Sequence, residues 1–131
     1  MRYLGIDYGE KHIGLSLGDD ESRLALPIET LTHENLERLA QELEKIIVRE
    51  QIGAVVVGVP AMGGVFHAQR TAIEKAIEFF RSRLSVSVYA ADESFTSRQA
   101  DRLLRDAGAV PGTDEHAVAA MLILQGFLDS R

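Results

Sequence analysis

Two acids stand where apolar runs end. Asp7 lies in GIDYGEKHIG, at the end of the run Arg2–Asp7 and before a glycine-punctuated turn, and Glu93 lies in ADESFT, directly after VSVYA. Two carboxylates that converge at one place suit a hard divalent cation, which takes oxygen ligands. Two such cations about 3.5–4 Å apart can activate a water and stabilise the leaving oxygen in phosphodiester hydrolysis. The plainer alternative makes Asp7 a turn former and Glu93 a solvated loop acid. Asp92, beside Glu93, supports the pair or forms an Asx turn. Asp114 and His116 fall in the first turn of a C-terminal helical pattern. Two positions apart on a helix they face nearly opposite sides, so only one of them can join the acids. Acids in a first turn also stabilise the helix dipole with no further role.

Basic residues supply a second kind of candidate. Arg98, Arg102 and Arg105 follow at i, i+4 and i+7, one stripe of a helix. That stripe is either a solvated face or a contact for backbone phosphates. Lys11, His12, Arg70, Arg81 and Arg83 are further candidates for a basic rim. GVPAMGG, after a third apolar run, could offer backbone amides to a phosphate at a helix start. It lacks the G-x-G-x-x-G and P-loop spacings, and a plain strand-to-helix loop explains it equally.

The elements that must position these residues are legible as periodicities. Arg2–Asp7 and His12–Gly18 read as strands joined by a hairpin-like turn, with Gly9 expected at positive φ. Arg23–Ile28 reads as a third strand. Thr32 is expected to cap a helix whose inner face is Leu36, Leu39, Leu43, Ile46 and Ile47, with Gly53 as its stop. Ala54–Val59 is a β-branched run of the kind buried on both faces. Pro60 ends it, and a second helix follows with Ala72, Ile73, Ala76, Ile77, Phe80 and Leu84 inward. Val86–Ala90 is the fifth strand. Thr96 and Gln99 form a capping box for a third helix ending at Gly108, and Thr113 caps an apolar last helix.

A hairpin opening followed by crossover helices implies an α/β fold, a five-stranded mixed sheet flanked by helices. Right-handed crossovers make strands one, four and five parallel, so their carboxyl ends share one edge. Open α/β sheets bind ligands there. Topology is thus expected to bring Asp7 to Glu93.

The chain has 131 residues, 46% hydrophobic and 26% charged, which fits one soluble globular domain spanning 1–131. No apolar run reaches the roughly 20 residues of a membrane helix, and the N-terminus lacks a signal-peptide layout. Zero cysteines exclude disulfides and thiolate metal sites. A cytoplasmic location, with no membrane partner, is the expectation. The net charge of −6 argues against binding nucleic acid by bulk positive charge, but not against a local basic face.

GIDYGEKHIGLSLGD, VVVGVPAMGG, ADESFTSRQADRLL and AVAAMLILQGFL stand in the order and spacing of one family. From Met1 to Leu128 the chain resembles the YqgF (RuvX-like) family of pre-16S rRNA nucleases, also called Holliday-junction-resolvase-like proteins. The resemblance implies a ribonuclease-H-like fold and Mn²⁺- or Mg²⁺-dependent cleavage of nucleic acid, either a ribosomal RNA precursor or branched DNA. The ribosome is an implied partner, and the chain would act as a monomer or homodimer. Asp7 and Glu93 match the family's first two acids; Pro60 and Thr96 match its loop proline and following threonine. The chain departs from the pattern in three ways. Ser94 replaces an arginine. His116 stands where a last-helix acid is usual, with Asp114 two residues away. The stretch before the last helix is the short, neutral AVPGT. A neutral imidazole suits manganese better than magnesium.

The resulting expectation is a metal-dependent endonuclease. Asp7, Glu93 and His116 are catalytic and metal-holding, Asp114 is the alternative ligand, and Lys11, Arg98, Arg102 and Arg105 bind nucleic acid. A nucleic-acid- or ribosome-associated binding module with a degraded site is the alternative. GIDYG also resembles the phosphate turn of actin-like and sugar kinases, but those proteins enclose the nucleotide between two such domains.

Overall fold

The computed structural model describes residues 1–60, 67–92 and 115–131. Five strands, β1 (Arg2–Tyr8), β2 (His12–Asp19), β3 (Ala25–Thr32), β4 (Ile52–Val59) and β5 (Ser87–Asp92), form one sheet in the order β3-β2-β1-β4-β5. β1 pairs parallel with β4, and β4 with β5, while β2 runs antiparallel to both β1 and β3. The expected mixed sheet is present, and the carboxyl ends of β1, β4 and β5 share one edge. Ile6 pairs with Val57 and Val59 with Asp92, so Asp7 and Asp92 reach nearly the same level at that edge, two strands apart.

Three helices flank the sheet: α1 (Leu36–Arg49), α2 (His67–Arg83) and α3 (Glu115–Asp129). Side chains alternate between the faces of a strand, and the two faces build separate cores. On one face Leu4, Ile6, Ile13, Leu15, Val55 and Val57 pack with Leu39, Leu43, Ile77 and Phe80 of α1 and α2. On the other, Tyr3, Ala54 and Val56 meet Ile123, Leu124 and Leu128 of α3. β1 and β4 are buried on both faces, which is why their sequences lack polar alternation.

Several boundaries differ from the sequence reading. The third strand is Ala25–Thr32, not Arg23–Ile28, because pairing with β2 continues to His12↔Thr32 past an irregularity at Leu15/Ser16. Thr32 therefore ends a strand, and Asn35 caps α1, its side-chain oxygen accepting from the Arg38 amide at 2.9 Å. α1 stops at Arg49 without glycine: Glu50 is its C-cap and Gln51 takes a left-handed φ of 54°. Gly53 is already within β4. Gly9 does not take a left-handed φ; its lack of a side chain matters because a Cβ there would lie 2.7 Å from the His12 carbonyl oxygen. Ala72 is exposed on α2, outside the inward face formed by Ile73, Ala76, Ile77 and Phe80. The helix expected after Thr96, the capping role of Thr113 and the loop after Pro60 lie outside the described residues.

α3 sits unusually close to β1 and β2. A Cβ on Gly14 would collide with the His116 carbonyl oxygen, and one on Gly5 would meet Ser16 Oγ, Leu124 Cβ at 2.8 Å and the Ala120 carbonyl oxygen at 3.0 Å. Between these two contacts the buried Ser16 hydroxyl donates a 2.8 Å hydrogen bond to the Ala120 carbonyl. Small residues on the strands thus let helix backbone rest on strand backbone, and the serine fixes the rotation of the helix. A Gly14→Ala substitution is expected to destabilise the fold by about 1–3 kcal/mol through overpacking. Ser16→Ala should cost about 1 kcal/mol through the lost buried hydrogen bond. Urea denaturation of each variant measures both.

Candidate active site

Asp7 is the penultimate residue of β1, the central strand. Its face follows from its register. Asp7 pairs with Gly14, cross-strand partners share a face, and Gly14 faces the first turn of α3 at the His116 carbonyl. The Asp7 carboxylate therefore projects under the start of α3. It is half-buried there, and desolvation pushes its pKa above the usual carboxylate range. The nearby His116 side chain acts in the opposite direction, because imidazolium charge favours the carboxylate.

His116 is brought to Asp7 by the seating of α3. Its side chain is 38% exposed, and Nε2 lies 3.9 Å from Glu115 Oε1. Its ring stacks on that of His12, with centroids 5.2 Å apart and planes inclined by 24°. A stack with His12 has no counterpart in the expected site. Its signal was present in the alternation of HIGLSLG, which puts His12, Gly14, Ser16 and Gly18 on one face while Ile13 and Leu15 enter the opposite core.

Of the other expected site residues, Lys11 is exposed in the β1–β2 turn beside His12, and its carbonyl accepts from the His33 amide at 3.2 Å. Glu93, Asp114, Arg98, Arg102 and Arg105 lie outside the described residues. Asp92 ends β5 and is exposed at the common edge. The wider basic rim is not assembled as a unit. Arg81 donates twice to the Val88 carbonyl, both at 3.1 Å, and Arg83 pairs with Glu37 at 3.0 Å. Both stand at the end of α2 that meets the start of β5, away from the carboxyl edge. Arg70, at the opposite end of α2, donates to the Pro60 carbonyl and pairs with Glu74 at 3.0 Å, which ties α2 to the end of β4.

Among the described residues no group of three or more His, Cys, Asp or Glu side chains converges as metal ligands. Asp7 and His116 are a pair: one oxygen donor kept from water and one ring nitrogen donor. That donor set fits a divalent cation that accepts both oxygen and imidazole, and it leaves room in the coordination shell for further ligands.

A sheet of this order with an acid ending its central strand is the frame of ribonuclease-H-like proteins. T. thermophilus RuvC, solved in complex with a Holliday junction substrate, superposes with a TM-score of 0.66 at 18% identity, covering 100% of this chain and 95% of that one. Fowlpox virus resolvase, solved with substrate Holliday junction DNA, gives 0.60 at 13% identity over 99% and 98%. Residues 1–130 match the family model described as "RuvX: Holliday junction resolvase". A protein of Chloroflexus aggregans named "Putative pre-16S rRNA nuclease" is 34% identical over 98% of this chain and 93% of its own length. One of Rickettsia akari with the same name is 31% identical over 97% and 85%. The chain belongs to the RuvX family, a family of nucleases that act on nucleic acid.

The raised Asp7 pKa has a consequence for stability. A carboxyl that holds its proton more tightly folded than unfolded contributes stability below its unfolded pKa and loses it as pH rises through the folded value. Without divalent cations, Asp7→Asn should therefore raise the thermal midpoint by a few degrees at pH 7. The gain should vanish below about pH 3.9, where both forms are neutral. Melting curves at the two pH values measure the difference.

Proposed function

We propose that this chain is a metal-dependent endonuclease that hydrolyses phosphodiester bonds in structured nucleic acid, acting in the cytoplasm as a single nuclease domain spanning residues 1–131. The observation that carries the reading is the desolvated Asp7 carboxylate at the end of the central strand with His116 set beside it by α3. Glu93, the residue after Asp92 in the sequence, completes the acids of this reading, and Asp114 is the alternative to His116. Mn²⁺ or Mg²⁺ held by Asp7, Glu93 and His116 would supply Lewis-acid stabilisation of charge on the phosphoryl oxygens.

The chain's own residues have distinct tasks in this scheme. Asp7, poorly hydrated, keeps its negative charge available to a cation rather than to solvent. His116 offers a ring nitrogen and is held in place by the helix seat and the His12 stack. Lys11, exposed in the β1–β2 turn, and Arg98, Arg102 and Arg105 position backbone phosphates in this scheme. Water oxygen forms the new bond to phosphorus, and the bridging ester oxygen leaves with the bonding pair and takes up a proton. The names of the curated relatives support precursor 16S rRNA as substrate; processing at its 5′ end, with the ribosome as partner, is the form this reading takes. The resolvase-like fold supports a four-way DNA junction. Junction cleavage needs two sites related by symmetry, hence a homodimer, whereas a monomer suffices for trimming RNA.

The second reading, a binding module with a degraded site, is favoured by His116 in place of an acid and by Ser94. Single-turnover cleavage of a precursor 16S rRNA fragment and of a four-way junction, with Mn²⁺ or Mg²⁺, separates the two. Asp7→Asn should slow cleavage by on the order of 100-fold or more, each decade being about 1.4 kcal/mol of lost transition-state stabilisation. Wild type should prefer Mn²⁺, and His116→Asp should shift the preference toward Mg²⁺. Undiminished cutting by Asp7→Asn overturns the nuclease reading at this site. Salt-dependent binding without metal-stimulated cutting selects the binding module.

A further inference from the structure

His12 is exposed at the start of β2 and projects from the α3 face of the sheet, as does its cross-strand partner Thr32. One face of its ring is taken by the stack on His116. His12 also lines a groove of about 1240 Å³ that continues past Thr30, Thr32 and His33 to Arg38 of α1, and neither Asp7 nor His116 borders that groove. His12 thus stands at the rim of this groove on the α3 side of the sheet, next to the candidate pair, while α1 walls the groove from the other face.

The walls of the groove indicate which part of a polynucleotide suits it. Lys11, Arg38 and Lys45 are offset by Glu10, Glu34 and Glu42, so the groove carries no excess positive charge to grip phosphates. What it presents instead, on the strand side, is the exposed His12 beside the exposed Thr32. A flat ring beside a groove without excess positive charge suits a base rather than a phosphodiester.

We propose that His12 is a stacking platform for an unpaired nucleobase adjacent to the phosphate that a cation at Asp7 and His116 would hold. The inference rests on the nuclease reading and narrows its substrate to nucleic acid that is single-stranded or locally opened at the cleavage point. A base within a duplex has both faces covered by its neighbours and reaches such a platform only by leaving the stack. Stacking tolerates any base, so the site selects for an unpaired nucleotide rather than for a sequence.

The test uses the full chain with Ca²⁺ in place of Mn²⁺ or Mg²⁺, so that a cation is present and no cleavage is required, with short single-stranded RNA and DNA carrying one 2-aminopurine as probes. Fluorescence quenching and affinity are read for wild type, His12→Ala and His12→Phe. His12→Ala should bind about 5- to 100-fold more weakly, and His12→Phe, which keeps an aromatic face, should stay within about threefold of wild type. An oligonucleotide abasic at the probe position should bind wild type and His12→Ala alike. Equal affinity of wild type and His12→Ala for the intact probes overturns the platform. Loss in His12→Phe as large as in His12→Ala also overturns it, since an aromatic face alone would then not suffice. Cleavage with Mn²⁺ is scored separately: cutting without His12-dependent binding sinks only this inference, and His12-dependent binding without cutting sinks only the nuclease reading.

Discussion

The seating of α3 on β1 and β2 is the contact on which the candidate site depends. Gly5 and Gly14 remove the side chains that would hold the helix away, and the Ser16 hydroxyl captures the Ala120 carbonyl between them. Helix backbone then lies against strand backbone, and the first turn of α3 has little freedom to slide or rotate. That seating matters to the proposed site, because His116 sits in this turn and Asp7 lies beneath it, opposite Gly14. A candidate pair assembled from two ends of the chain would gain its precision from the packing below it.

Burial and charge act together at this point. Asp7 ends a strand whose other residues serve two cores, so its carboxylate emerges into a partly dry rim. Desolvation makes its negative charge costly, and His116 only partly offsets that cost. A group left in this condition is a binding opportunity: a cation would relieve the unfavourable charge and gain an oxygen ligand in one step. The same α3 turn also brings His116 under the ring of His12, which connects the rim to the neighbouring groove. The remaining arginines divide by location. Those at the far end of α2 serve the fold, holding the Val88 carbonyl and Glu37, whereas Arg70 secures the edge where β4 ends.

Much of this was legible in the order of residues. Apolar periodicity marks all five strands and the three described helices, since burial on one or two faces imposes the pattern directly. Right-handed crossovers then make β1, β4 and β5 parallel and place Asp7 at the shared carboxyl edge. Element ends were read less well. Thr32 looks like a helix cap by type, yet it is drawn into β3 by pairing with His12, and Asn35 takes the cap. Gly53 looks like a helix stop, but Gln51 accepts the left-handed conformation instead. These outcomes depend on competition between a local preference and a partner distant in sequence.

The chain's own order of residues thus sets the sheet, the position of Asp7, the absence of thiol chemistry and the net negative charge, because each follows from residue types and short periodicities. Tertiary packing settles which groups meet. The stacking of His12 on His116 and the partial drying of Asp7 come from contacts between segments about a hundred residues apart. No local spacing encodes them, since they require the helix to dock at one depth and one rotation. Two glycines and one serine set both, and their role is visible only once the helix is in place.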